Sequence, residues 1–462
     1  MLTPTNTIAA ISTPPGKGGV ALIRISGEEA LTVASKVFLP AYKKEITDYP
    51  ARMQIYGYIV DGDERIDDVL LTYFPAPNSY TGENTVEICT HGGIVVTRTV
   101  LETVLAAGAR YAEAGEFTRR AFVNGKLSLT EAEAIASLLE AQSREQIKLA
   151  SHTARTSLER EIGAIRTSLI ELMSSMYARI DYPDEDLGDF DDDEVSNILE
   201  NISSRANSLL ATYKTGRAVS EGISTVICGK TNVGKSSLYN LIAGEDAAIV
   251  TDVEGTTRDV LSRRAPLGKV ILNLADTAGI RDEAVDVVER IGIEKSRQMM
   301  EKCELLFAIF DISRKFDEQD AAILSKISKL NCTKIALLSK CDCEHVFDES
   351  QLIGFDKIIY VSVVQEPVET LKKVAECVDE MFTDGKINIG NDPVISSARQ
   401  YAALARACEH IDEAKRGICA GLSQDAVSSD VERALGAISE LDGRAVSEEI
   451  TADIFSKFCV GK

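Results

Sequence analysis

The sequence predicts a multidomain chain. An α+β domain comes first, and an α/β domain of the P-loop, Ras-like kind is inserted into an α-helical central domain. Three observations carry this reading. Short β-like runs separated by turns fill the chain to about residue 120. From Thr130 to about Ile180 there is no proline and one glycine, Gly163, with Leu, Ile and Ala at helical spacing; helical texture returns from Ser396. Between those blocks, strand-length apolar runs alternate with helical stretches behind a glycine loop. The boundaries drawn are 1–122 for the first domain, 123–217 and 381–462 for the two parts of the helical domain, and 218–380 for the α/β domain. At 462 residues each part can bury its own core.

The first domain takes its strands from TIAAIS, GVALIRIS, MQIYGYIV, DDVLLTYF and NTVEICT, and a helix from 97–108 that ends at a glycine. Thr130 and Glu133 have capping-box spacing, so the next block is expected to hold one or two long helices. DYPDEDLGDFDDDE (181–194) then interrupts the helices with nine carboxylates, read as a solvated acidic connector. Helix resumes over 195–215 and is expected to stop near Gly216. Five strands follow in the α/β domain: STVIC, KVILNLAD, ELLFAIFD, KIALLS and KIIYVS.

Composition narrows the class. The chain is 45% hydrophobic and 26% charged with no low-complexity tract, as in globular proteins. Its net charge, 50 − 72 = −22, argues against nucleic-acid binding over the whole surface and leaves room for a local basic face. No apolar run reaches membrane length, and MLTPTNTIAAIS lacks a basic leader, so a cytoplasmic protein without a membrane role is expected. The ten cysteines are scattered; Cys341 and Cys343 are the close pair, and no zinc set completes them. Reduced, mostly buried thiols are expected.

CGKTNVGKSSLYNLI (228–242) fits G-x-x-x-x-G-K-[ST] through Gly229, Gly234, Lys235 and Ser236, between a strand and a helix. Glycines let backbone N–H groups converge on phosphate oxygens, the lysine reaches the β and γ phosphates, and the Ser236 hydroxyl ligates magnesium. The loop takes in Asn232, Val233 and Ser237 as well. Asp276, Thr277, Ala278 and Gly279 end the next strong strand; the Asp suits the magnesium shell and the Gly279 N–H the γ phosphate. In TDVEGTTRD, Thr251, Gly255, Thr256 and Thr257 sit where a loop can close over the nucleotide, with Thr257 a further metal ligand.

LLSKCD holds Ser339, Lys340 and Asp342 where guanine nucleotide-binding proteins have Asn-Lys-x-Asp, and Ser362, Val363 and Val364 follow the last strand as a base-contacting loop. The specifying Asp points to GTP; the hydroxyl of Ser339 offers less than an amide. Ile280 stands where Ras-like switches carry the water-orienting Gln, so another group is needed for hydrolysis. Glu289 is a candidate, or a first-turn helix charge. No arginine finger is identifiable for the charge at the β–γ bridge, although Arg258 and Arg281 are nearby; Asn232 could hold a monovalent cation against the phosphates, or is equally a loop former.

Taken with TPPGKGGVALIRISG (13–27), SYTGENTVEICTHGG (79–93), AGEFTRRAFVNGKLSLTEAEA (114–134), IDYPDE (180–185) and the ending IFSKFCVGK (454–462), these motifs resemble the tRNA-modification GTPase family called MnmE or TrmE, over essentially the whole chain. The chain departs from the family pattern at Ala114 for Pro, Ser339 for Asn and Val363 for Ala. The resemblance implies an N-terminal folate-binding and dimerisation domain, a helical domain and an inserted GTPase domain. It implies a homodimer and hydrolysis activated by potassium, with Asn232, Thr251, Val253 and Thr256 as potassium ligands and Ser236 and Thr257 as magnesium ligands. Glu289, Lys235 and Gly279 then form the catalytic set. Arg24, Glu87, Lys126 and Lys462 match positions that bind a tetrahydrofolate, in a 5-formyl or 5,10-methylene form, although on residues alone Arg24 and Glu87 read as ordinary strand positions. Cys459 matches a terminal thiol of one-carbon, redox or plain structural role.

The implied reaction adds a carboxymethylaminomethyl or aminomethyl group to C5 of the wobble uridine of certain tRNAs, with the flavin-dependent MnmG protein as partner. Arg110, Arg119, Arg120 and Lys126 are the most basic stretch, a solvated face or a contact for tRNA or the folate tail. Two other readings stand beside it: an Era-like ribosome-assembly switch, which shares the G-domain motifs, and a scaffold with a degraded G domain, motivated by Ser339 and Val363.

Overall fold

The computed structural model describes residues 7–42, 45–153, 157–181, 191–244, 262–275, 300–445, 447–456 and 458–462. It divides into two compact units, Met1–Leu139 with Ser439–Lys462, and Glu140–Ile438.

The first unit is built on a sheet of β1 (Ile8–Ile11), β2 (Val20–Ser26), β3 (Phe38–Pro40), β4 (Gln54–Asp61), β5 (Glu64–Phe74), β6 (Thr85–His91) and β7 (Arg110–Tyr111), in the order β3-β4-β5-β6-β2-β1-β7. Its neighbours are antiparallel except β1 and β7. Helices Ala30–Val37 and Ile94–Ala106 close one face over Ile23, Ile25, Ile59, Leu71 and Ile88. Side chains alternate across a strand, so the residues between these point to the other face. Register then sets Arg24 of β2 opposite Glu87 of β6.

The C-terminal segment belongs to this unit. Ile454, Phe455 and Phe458 pack with Leu129 and Ala132, and Val460 bridges Ala114. Two glycines permit the close approach. A Cβ on Gly115 would lie 2.3 Å from the Phe455 carbonyl oxygen, and one on Gly461 2.2 Å from that of Ile11. Ser12 Oγ completes the seam by donating to the Gly461 carbonyl at 2.9 Å.

The second unit holds β8 (Ile223–Gly229), β9 (Ser262–Leu267), β10 (Val270–Ala275), β11 (Leu305–Asp311), β12 (Thr333–Ser339) and β13 (Lys357–Val361), ordered β13-β12-β11-β8-β10-β9. All pairings are parallel except β9 with β10. Fully buried runs such as LLFAIFD suit a sheet covered on both faces. Helix Asp192–Ala211, before this sheet, packs against Ala398–Cys419, after it; Ser203 Oγ donates to Asp412 Oδ1 at 3.1 Å. An α/β unit inserted into a helical one is the observed architecture.

Several local expectations are corrected. The helix expected to be capped at Thr130 starts at Leu129, capped by Ser128 and Glu131, whose side chains exchange bonds with each other's backbone N–H. Where one or two long helices are expected, residues 140–143 separate Leu129–Leu139 from Arg144–Thr153; Ser157–Asp181 follows, with 154–156 outside the described residues. Ser143 caps the second by accepting from the Gln146 N–H at 3.1 Å. Gly216 does not stop its helix, which runs over Tyr213–Ser220; a Cβ there would lie 2.0 Å from the Ile395 carbonyl oxygen, so the glycine admits a neighbouring chain. Strand β9 escaped prediction because SRRAPL is short of apolar residues and carries Pro266, tolerated here on the sheet edge. Of the acidic connector, 182–190 lie outside the described residues; Asp191 caps the next helix by accepting from the Glu194 N–H at 2.9 Å.

Candidate functional site

In the second unit β8 lies inside the sheet between β10 and β11, and its carboxyl end opens into the glycine loop. This is where open α/β sheets bind ligands. Gly229 leaves the strand at φ +147°, and a Cβ there would meet the Ile309 carbonyl oxygen at 2.5 Å. Asn232 takes φ +62°, and Gly234, at φ +108°, precedes helix Lys235–Ala243. Lys235 curls back over the loop, its Nζ donating to the carbonyls of Gly229 at 2.8 Å and Lys230 at 2.5 Å. Lys230 anchors the loop from outside, 2.9 Å from Asp317 and 2.6 Å from Asp320. Burial alone would lower its pKa, but the two carboxylates outweigh that and raise it.

The second wall comes from the ends of β12 and β13. Ser339 is buried, and its Oγ lies 2.8 Å from the Val233 carbonyl oxygen and 3.0 Å from that of Phe310. One hydroxyl proton serves one carbonyl at a time, so Ser339 ties the segment to the glycine loop with a single shared donor. Asp342 accepts from Ser362 Oγ at 2.5 Å, which holds its carboxyl below the usual range. Asn232, Val233, Gly234, Lys235, Ser236, Ser237, Ser339, Lys340, Asp342, Ser362, Val363 and Val364 surround one cavity of about 440 Å³ together with Gln365, which sequence reasoning missed. Its only sequence signal is its position next to Val364.

Thr251, Val253, Gly255, Thr256, Thr257, Asp276, Thr277, Ala278, Gly279 and Glu289 lie outside the described residues, as do Arg258 and Arg281. Strand β10 ends at Ala275, one residue before Asp276.

The first unit gathers a second cluster. Arg24 Nε and one terminal nitrogen each lie 2.9 Å from Glu87 Oε1, and the guanidinium stands 5.0 Å from the Tyr80 ring centre. Burial, then the positive Arg24, push the Lys462 ammonium pKa down. Cys459 is exposed and close enough to Lys462 to pull the other way. Lys126 sits apart in kind: its exposed side chain runs over Gly82, where a Cβ would meet its Cγ at 3.1 Å.

The basic stretch is not a free basic face. Arg110 and Arg120 both pair with Glu116, Arg120 also reaches Glu83 at 3.0 Å, and Arg119 lies 3.6 Å from Glu113. Burial would raise the Glu116 pKa, but Arg110, the Glu113 N–H and Arg120 hold it below the usual range. Glu83 and Glu116 went unnoticed in the sequence because lone glutamates in GEN and GEF carry no periodic signal.

The family model for the GTP-binding protein TrmE N-terminus matches residues 7–126, and the MnmE helical domain model matches 129–459. The chain is 37% identical over 460 residues to the tRNA modification GTPase MnmE of Clostridioides difficile (99% of both chains). The chain belongs to the MnmE family. MnmE of Finegoldia magna is 38% identical over 455 residues, 98% of this chain and 99% of that one. MnmE of Thermotoga maritima is 36% identical over 461, 99% and 100%. The two MnmE models divide the chain between Lys126 and Leu129, at the Ser128 cap that opens the helical part.

Proposed function

We propose that this chain is a potassium-activated GTPase that drives addition of a carboxymethylaminomethyl or aminomethyl group to C5 of the wobble uridine of certain tRNAs. It would act as a homodimer, with a flavoprotein partner and a tetrahydrofolate one-carbon donor. Family membership makes it a GTPase of tRNA modification. The observation that carries the nucleotide reading is the single cavity shared by the glycine loop and the distant Ser339–Asp342 and Ser362–Val364 segments.

The residues present fit the groups. The glycine loop carries the backbone curvature that phosphate oxygens need, with Lys235 already bent over it. The Asp342 carboxylate, kept ionised by Ser362, suits the N–H edge of guanine. Ser236 and Thr257 would hold magnesium, and Asn232, Thr251, Val253 and Thr256 potassium. These cations, when bound, offset the negative charge of the phosphates. Glu289 would orient the attacking water.

In the other unit, Arg24 pairs with Glu87 and has Lys462 as a second cation nearby, a cluster that fits the anionic tail of a folate. The bound folate would supply the one-carbon unit. Lys126 would meet the tail from the Gly82 turn, and Cys459 lies at the cluster's edge.

Nucleoside analysis tests the reading. The purified chain, incubated with its flavoprotein partner, GTP, a reduced folate, an amine donor and unmodified tRNA, should yield the C5-substituted wobble uridine. Omitting GTP should abolish it. Full modification without this chain or without GTP would refute the proposal.

A further inference from the structure

We propose that Asp311 is a positioning residue for guanine nucleotide binding, acting through Lys340. The inference rests on reading the 440 Å³ cavity as the nucleotide site. Strand β11 ends at Asp311, and register places that residue beside Ser339, the first residue of the Ser-Lys-Cys-Asp segment. The carboxylate is 1% exposed. A buried charge of that kind needs partners, and it has them. Oδ1 accepts from Ser313 Oγ at 2.6 Å and from the Ser313 N–H at 3.1 Å. Oδ2 lies 2.6 Å from Lys340 Nζ and 3.4 Å from Nε of the largely exposed Arg314.

Lys340 is the residue that needs holding. It sits at φ +61°, a conformation L side chains rarely adopt, and it lines the cavity while Asp311 does not. The backbone turn is pinned by the Cys343 N–H on the Lys340 carbonyl at 2.9 Å and the Cys341 N–H on that of Val361 at 3.3 Å. The side chain is pinned by Asp311. With its ammonium tied down, Lys340 has its rotamers chosen before a nucleotide arrives. Preorganisation of this kind lowers the ordering cost of binding.

The test is a double-mutant cycle on the full chain, with a fluorescent GDP analogue for affinity, steady-state GTP hydrolysis for KM and kcat, and thermal unfolding as a fold check. Asp311→Asn keeps the contacts to Ser313 and loses the charge. It should weaken nucleotide binding and raise KM about tenfold, the scale of one charged hydrogen bond, while kcat stays within about twofold. In a Lys340→Met background the same change should cost nothing further. An equal loss in both backgrounds would overturn the proposal, because Asp311 would then act independently of Lys340. Should Asp311→Asn not fold, Lys340→Arg, which can keep the ion pair, should bind near the wild-type level while Lys340→Met does not. Equal weakening by both would again overturn it. If Lys340→Met and Asp342→Ala both bind nucleotide as the wild type does, the cavity reading fails and this proposal with it. If those two weaken binding and Asp311→Asn does not, only the role of Asp311 fails.

Discussion

A single hydroxyl at position 339 shows how a departure from a motif can keep its mechanical role. Ser339 reaches both the glycine loop and the end of β11, although it offers one proton where an amide offers two. Ser339→Ala should lower stability by about 1 kcal/mol, the net worth of a buried hydrogen bond, and weaken nucleotide binding through the loosened Val233. Chemical unfolding and nucleotide titration check both; unchanged values in both would show that the contact carries nothing. Lys462 allows a test by pH. Its ammonium pKa is depressed by burial and Arg24, so between that depressed value and the ordinary lysine range the free protein leaves it neutral. An anionic folate tail beside it would restore the charge, so binding should take up protons in that window and weaken as pH rises through it. Calorimetry in buffers of different ionisation enthalpy reads the proton uptake directly. The Lys462→Met variant should show none.

At the level of elements, the strands were the legible part. The five α/β runs and the five runs of the first domain all form strands: the former include runs buried on both faces, the latter alternate buried and more exposed positions. Helix ends were less legible. Ser128 and Ser143 each carry the S-x-x-E/Q cap signature, yet the first was read at Thr130 and the second was overlooked inside a continuous helical period. The motifs of the nucleotide cavity could be read because glycines and a spaced lysine are local. Asp311, Gln365, Glu83 and Glu116 could not, since their partners are set by strand register and packing. The C-terminal strip is the element most open to test. Gly461 holds φ +101° and faces the Ile11 carbonyl with no room for a Cβ. Gly461→Ala should therefore displace the tail and weaken binding of a reduced folate about tenfold or more, with GTP hydrolysis unchanged. Unaltered folate affinity would place that ligand elsewhere.

For the molecule as a whole, each proposed ligand falls within one compact unit: the folate cluster draws on residues 24, 87, 126 and 462, and the described nucleotide residues span 232–364. The insertion explains the sequence order, since the first unit takes both ends of the chain and the second takes the middle. No described helix is long and apolar enough to cross a membrane. Much of the proposed chemistry depends on residues 251–257, 276–279 and 289, outside the described residues, and on a monovalent cation beside Asn232. The decisive measurement is therefore GTP hydrolysis by the purified chain in potassium and in sodium at equal ionic strength. The account predicts strong stimulation by potassium, and loss of that stimulation in Asn232→Ala. Equal rates in the two salts would contradict it and assign the charge at the phosphates to an arginine or a partner.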